Sequence, residues 1–247
     1  MPFDIHATQS GRWSFLHGLA AAVLISLALF LTNPYFRILE DETSIIVAAN
    51  APISHTLTLF ATGEGQHEHP PLSDLLLHFW LPVAGVSPSL VRLPSIILYS
   101  IALVIFAAAA QKLAGTTSFY ATLGFELLWP FGFHFGRLAG WYSFCFLLVG
   151  LLTLSYLWFL EAPGWGRWSL VVCASFAAVV SNYFCWFVVA VILLDVFLTL
   201  DRWLAVRYAA IGLAILFVGY GPIWMTLARE VRSINPSLPV REFRAPF

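Results

Sequence analysis

Between residues 14 and 32 the chain carries no formal charge, and similar runs recur at 93–110, 138–160 and 208–225. A helix needs about 20 predominantly apolar residues to cross the hydrocarbon core of a bilayer. Each run is long enough for one crossing. In lipid every backbone polar group must find its partner internally, so such a run has to be helical or part of a closed barrel. Composition points the same way. Of 247 residues, 60% are hydrophobic and 10% are charged, whereas soluble domains are about a quarter charged. Mean hydropathy is +0.84. So few charges could not cover a water-exposed surface, which excludes the ordinary cytosolic enzyme classes. The net charge of −1 supplies no basic field, so nucleic acid is not a partner. Cys145, Cys173 and Cys185 all sit in apolar runs. They form neither a disulfide framework nor a zinc spacing, and they read as small apolar fillers.

The first run could serve as a signal peptide, but it lacks a small-residue cleavage site and continues into Asn33-Pro34. It reads as an uncleaved first span. Residues 115–135 form another apolar run, with Glu126 inside it. Three readings fit that acid: a pair with an arginine, protonation, or a place nearer the interface. Residues 168–200 are too long for one span, and the polar Ser181-Asn182 step divides them into two short ones. The expectation is an all-α membrane bundle of seven spans, with no internal repeat.

Residues 33–92 differ from the rest. Glu40, Asp41, Glu42, Glu64, Glu68 and Asp74 all fall here. Two short helices are predicted. The first covers 41–50, its acids in the first turn where the helix dipole favours them, and Pro52 ends it. The second starts at Pro70-Pro71, because proline is tolerated in a first turn. In it Leu72, Leu75, Leu76 and Phe79 repeat at i, i+3, i+4 and i+7. Pro82 is expected to end this helix, which is too short to cross and amphipathic, so it should lie in the interface. The whole chain then reads as one module: span 1 at 14–32, a loop at 33–92, spans 2–7 within 93–226, and a tail at 227–247.

If the helix at 71–82 does not cross, one membrane face collects the acids at 40–42, the Gln66-His67-Glu68-His69-Pro70-Pro71 stretch, Arg92, Arg137 and Asn182. Ionisable groups are costly near lipid and mark functional sites by default. Each also has an ordinary reading. Acids after a span are commonly solvated, and arginines at span starts commonly snorkel to headgroups. His67 and His69 beside Glu68 offer a divalent metal two imidazoles, but they do not make a His-Glu-x-x-His zinc motif. The lysines and arginines do not choose an orientation, because the basic tail offsets the positive-inside bias.

The order of these features resembles the membrane glycosyltransferases of the GT-C superfamily. The likeness is to the branch of protein O-mannosyltransferases and lipid A aminoarabinose transferases. It is carried by Leu39-Glu40-Asp41-Glu42 after the first span, His67-Glu68-His69-Pro70-Pro71-Leu72 before the amphipathic helix, and Val91-Arg92-Leu93-Pro94-Ser95 at the next span. The resemblance is sharp over residues 10–111 and softer over 112–200. It implies a seven-span module with two juxtamembrane helices, a cytoplasmic N-terminus and the acidic loop outside. A bacterial inner membrane with a periplasmic site is the expected location. The family also implies a polyprenyl-phosphate sugar donor, inversion at the anomeric carbon and no required cofactor.

By that resemblance Asp41 is the base and Glu42 the second acid. Glu68 and His69 stand close to the site, and Asn182 stands near a position the family often uses. Arg92 and Arg137 are the candidates for the donor phosphate. The chemistry is consistent with these residue types. A carboxylate can take the acceptor's proton, and an arginine fork binds phosphate through two parallel bonds. The prenyl tail needs an apolar groove. Family members usually continue with further spans, so the chain reads as a fragment, as a minimal enzyme or as a subunit that needs a partner. Two other classes stand beside this one: a transporter using Glu126 and the mouth charges, and a non-catalytic subunit of a larger transferase.

Overall fold

A computed structural model describes residues 10–33, 40–62, 72–85 and 87–221; within these ranges the side chains of 10–15, 40, 41, 59–62, 126 and 127 lie outside the described set. Every regular element among the described residues is an α-helix. In chain order they are α1 (Ser10–Thr32), α2 (Glu40–Asn50), α3 (Ile53–Thr62), α4 (Leu72–Ala84), α5 (Pro88–Val91) and α6 (Leu93–Ala114), followed by α7 (Thr116–Leu128), α8 (Pro130–Arg137), α9 (Trp141–Glu161), α10 (Trp165–Ser181), α11 (Cys185–Thr199) and α12 (Arg202–Gly219). Three stretches among the described residues are long and apolar enough to cross a bilayer: Pro88–Ala114, Trp141–Glu161 and Arg202–Gly219. Leu16–Thr32, Leu72–Ala84, Trp165–Ser181 and Cys185–Thr199 are apolar but shorter. On α11 and α12, Phe187, Leu198 and Val218 are exposed to between 72% and 80%. Side chains this large and this exposed call for an apolar surrounding such as lipid.

The bundle is organised around α6, which packs on α1, α7 and α9. Ile25, Leu29, Ile96, Tyr99, Leu103 and Phe119 form the core on the α1 side. The backbones of α6 and α9 approach closely at Gly150, where a Cβ would meet Ile105 and Phe106 at 3.2 Å. A second core joins α9 to α10, α11 and α12 through Leu152, Phe159, Trp168, Val179, Val196 and Tyr208. A third, smaller cluster of Ala49, Leu77, Leu81, Val91 and Ala139 seats α2, α4 and α5 against the α8–α9 link. The far end is held by Lys112, which ion-pairs with Glu161. Arg167 donates from Nη1 to the Trp158 carbonyl at 2.6 Å. The ends of α6 and α9 and the start of α10 therefore lie together, opposite the end where Arg92 and Ala139 meet.

Several boundaries differ from the sequence expectation, each for a local reason. The run at 115–135 is not one helix. Pro130 lacks the amide a continuing helix needs, Trp129 before it is extended (φ −83°, ψ 104°), and α8 starts afresh with proline in its first turn. Pro82 does not end α4 but lies inside its last turn. So close to the C-terminus it removes one bond, and Gly85 N still reaches Leu81 O at 2.7 Å. Gly85 then closes the helix with φ +72°, the left-handed cap that glycine adopts without cost. The segment after α1 holds a helix that the sequence did not announce, α3. Pro52 stops α2, but its carbonyl also accepts the first amides of α3, His55 N at 2.8 Å and Thr56 N at 3.2 Å. The break at Ser181-Asn182 is present as expected. Asn182 Oδ1 accepts from Phe184 N at 2.8 Å and turns the chain from α10 into α11.

α4 shows its two faces clearly. Ser73, Asp74, Leu77 and Leu81 are buried against the bundle. Leu76, Phe79 and Val83 are exposed. The apolar stripe expected at 72, 75, 76 and 79 thus points mainly outward. At 1.5 Å per residue the 13 residues of α4 span about 20 Å, short of the hydrocarbon thickness. His78 Nδ1 donates to Ala49 O at 2.8 Å and Trp80 Nε1 to Leu90 O at 2.8 Å. These two bonds tie α4 to the end of α2 and to α5.

Candidate functional site at the mouth of the bundle

Arg92 sits at the joint between α5 and α6, serving as the C-cap residue of one and the N-cap residue of the other. Pro94 follows in the first turn of α6. The joint turns the guanidinium inward, and it is 1% exposed. Arg92 Nε donates to Glu42 Oε1 at 2.7 Å, and Nη2 donates to Glu42 Oε2 at 2.5 Å. This is the two-pronged arginine–carboxylate pair. Nη1 donates to Asn33 Oδ1 at 2.8 Å. Glu42, 2% exposed, also accepts from Ala139 N at 2.9 Å through Oε1. One buried ion pair thus joins the end of α1, the start of α2, the start of α6 and the α8–α9 link.

This arrangement bears on the role expected for Arg92. It was expected to present its fork to a donor phosphate. Instead three of its nitrogens are engaged by Glu42 and Asn33. The physical reason is burial: an ion this deep is stable only when charge-paired and hydrogen-bonded. Glu42 likewise has its proton-accepting oxygens occupied. Asn33 enters the sequence analysis only as part of the Asn33-Pro34 step after the first span, not as a site residue.

Arg137 ends α8 and is mostly buried. Its Nε donates to Phe133 O at 2.9 Å, one turn back. Its positive charge lies within electrostatic reach of that of Arg92. An arginine so placed stays charged at neutral pH. Two guanidinium groups therefore lie close together at the mouth, with Glu42 beside one of them. Asp74 is a further buried carboxylate, on the bundle-facing side of α4; in the sequence it counts among the acids of 33–92 and not among the candidate site residues.

A cleft of about 190 Å3 lies between α6, α8 and the start of α9; Gly136, the residue before Arg137, lines it, but Arg137 does not. It is lined by Tyr99, Trp129, Phe131, Gly132, Phe135, Gly136, Tyr142, Ser143 and Phe146. α8 supplies one wall and carries Arg137 at its end. Gly132 and Gly136, one turn apart, leave room for the Tyr99 ring of α6. A Cβ on Gly136 would lie 2.5–2.9 Å from ring atoms of Tyr99. That ring is buried and stacks on Phe146 at 5.7 Å, so it cannot step aside cheaply. Gly136→Ala is therefore expected to destabilise the protein. Overpacking of this kind costs about 1–3 kcal/mol, more than the helix propensity gained. Thermal unfolding of the purified variant checks it; an unchanged Tm would show that Tyr99 has somewhere else to go.

Of the expected site residues, Glu42, Arg92 and Arg137 are brought together at one end of the bundle. Asn182 is buried at the mouth end of α10, where its side chain makes the turn into α11. Asp41 lies in the first turn of α2, with its side chain outside the described set; the Glu126 side chain is outside it too. Glu68 and His69, with the histidine pair considered for a metal, fall outside the described residues. One polar pair went unnoticed in the sequence: Tyr156 Oη donates to Asp195 Oδ2 at 2.5 Å, joining α9 to α11 within the bundle. No protein-family model, curated protein or solved structure matches this chain.

Proposed function

We propose that the chain is a membrane glycosyltransferase of GT-C type that moves a sugar from a polyprenyl-phosphate donor to an acceptor hydroxyl with inversion. One observation carries most weight. The acidic segment after the first span and the Arg-Leu-Pro-Ser joint, 50 residues apart, meet in a buried pair at the mouth, next to Arg137 and an aromatic cleft. In this reading α1, α6, α7 with α8, and α9 to α12 are the seven spans. The N-terminus is cytoplasmic and the mouth faces the periplasm of a bacterial inner membrane.

Glu42 and Arg92 are positioning residues that fix α2 against the bundle. Asp41, the next acid on that helix, is the base. Arg137 takes over as the phosphate ligand, because it is the charged residue that ends α8, the helix whose Phe131, Gly132, Phe135 and Gly136 line the aromatic cleft. That polarity fits a lipid phosphate, with the headgroup at Arg137 and the first units of the tail along Phe131, Phe135 and Tyr142. At about 190 Å3 the cleft is smaller than ordinary small-molecule pockets, so it suits a segment of chain and not a whole ligand. The growing charge on the leaving phosphate is what a fixed guanidinium stabilises.

Incubating the purified full chain with radiolabelled polyprenyl-phosphate sugars tests this. Release of free lipid phosphate, with the sugar on an acceptor or on water, supports the reading. Flux of label across liposomes without turnover would replace it with a transporter. Arg137→Ala should weaken donor binding roughly 10- to 150-fold, the loss of one charge-assisted bond of about 1.5–3 kcal/mol. Donor affinity equal to wild type in a folded Arg137→Ala protein would remove Arg137 from the site.

A further inference from the structure

The three cysteines look alike in the sequence, but the structure separates them. Cys173 is exposed on α10. Cys145, in the second turn of α9, and Cys185, the first residue of α11, have their sulfurs 3.3 Å apart. They are 40 positions apart in the chain, so no spacing rule could have paired them. The two sulfurs would need to close by about 1.3 Å to reach the length of a disulfide bond. Both belong to helix starts at the mouth end, beside the turn made by Asn182.

We infer that Cys145 and Cys185 are a reversible modification site, oxidised to a disulfide that staples α11 to α9 at the mouth of the bundle. The co-substrate is a disulfide, small or protein-borne. Cys185 is buried, whereas Cys145 is partly accessible, so Cys145 meets the oxidant first. Its S–H bond breaks, a mixed disulfide forms, and one thiol of the oxidant leaves. Cys185 then gives up its proton, its sulfur attacks Cys145 Sγ, and the second thiol leaves. The two cysteines lose two electrons and two protons, and one disulfide of the oxidant becomes two thiols. The pairing does not depend on the transferase reading, since it rests only on which helices touch. If the mouth faces an oxidising compartment, the staple is the stable form there.

The test uses the full chain carrying Cys173→Ser, reacted in detergent with a dipyridyl disulfide. The protein should release two equivalents of thiopyridone, retain no pyridyl adduct, and yield a reducible cross-linked peptide joining α9 to α11. Cys185→Ser in the same background should stop after one equivalent, with the adduct held on Cys145. Stable adducts on both thiols, or two thiols that remain open to alkylation after oxidation, would overturn the inference. So would a cross-link between different copies of the chain in place of the internal one.

Discussion

Replacing Arg92 with alanine is expected to lower the free energy of unfolding by about 3–5 kcal/mol, because it leaves Glu42 as a buried charge without its counter-ion. Arg92 is 1% exposed and Glu42 2% exposed, so water cannot take over. The loss should not be repaired by Arg92→Lys. A single ammonium cannot reach both carboxylate oxygens and Asn33 at once, whereas the planar fork does. Removing both charges is a different matter. Well-packed apolar residues often replace a buried ion pair with little loss, so Arg92→Met with Glu42→Leu should recover much of the stability. Chemical unfolding of the two single variants and the double variant gives the coupling directly. Additive losses in that cycle would mean that the pair contributes nothing beyond its separate parts. Full stability of Arg92→Ala, combined with lost donor binding, would restore the phosphate role first expected of this arginine.

Much of the fold was legible because single apolar runs report on single helices. Residues 14–32, 93–110 and 138–160 became α1, α6 and α9 with their ends moved by a few positions. The polar step at Ser181-Asn182 showed where α10 gives way to α11. Errors arose at prolines. Pro52 and Pro82 were each given one role, that of a stop. Proline also starts helices, as Pro130 does for α8, and it survives in a last turn, as Pro82 does in α4. Its meaning depends on which neighbouring amides have partners, and a linear reading does not contain that. Glu42, Arg92, Arg137 and Asn182 were legible as residues of one end of the bundle, but not as a set of contacts. Glu42 and Arg92 pair across 50 positions, and Tyr156 and Asp195 pair across 39. No helical period connects such partners. The pairings also decide roles, since Arg92 as a free cation and Arg92 closed on Glu42 do different things.

The role of Glu42 sharpens the largest expected effect on activity, at its neighbour. Glu42 accepts three hydrogen bonds in the buried network, and a carboxylate so engaged is a poor base, because each donor favours its ionised form. Successive positions on a helix diverge by about 100°, so an acid next to Glu42 addresses a different partner. The proposed chemistry assigns that acid, Asp41, to the acceptor hydroxyl. Asp41→Asn keeps size and polarity but cannot take a proton. It should leave unfolding unchanged and reduce sugar transfer about 10²- to 10⁴-fold, the usual worth of a general base. Glu42→Gln should behave in the opposite way, with a clear loss of stability and an activity loss that follows the unfolded fraction. Glu40→Gln should change neither much. Transfer assays on monodisperse protein, run beside unfolding curves for all three variants, separate these outcomes. Wild-type turnover in Asp41→Asn with loss in folded Glu40→Gln would move the base one position back along α2, while loss in a fully stable Glu42→Gln would mean that Glu42 leaves Arg92 when the donor binds.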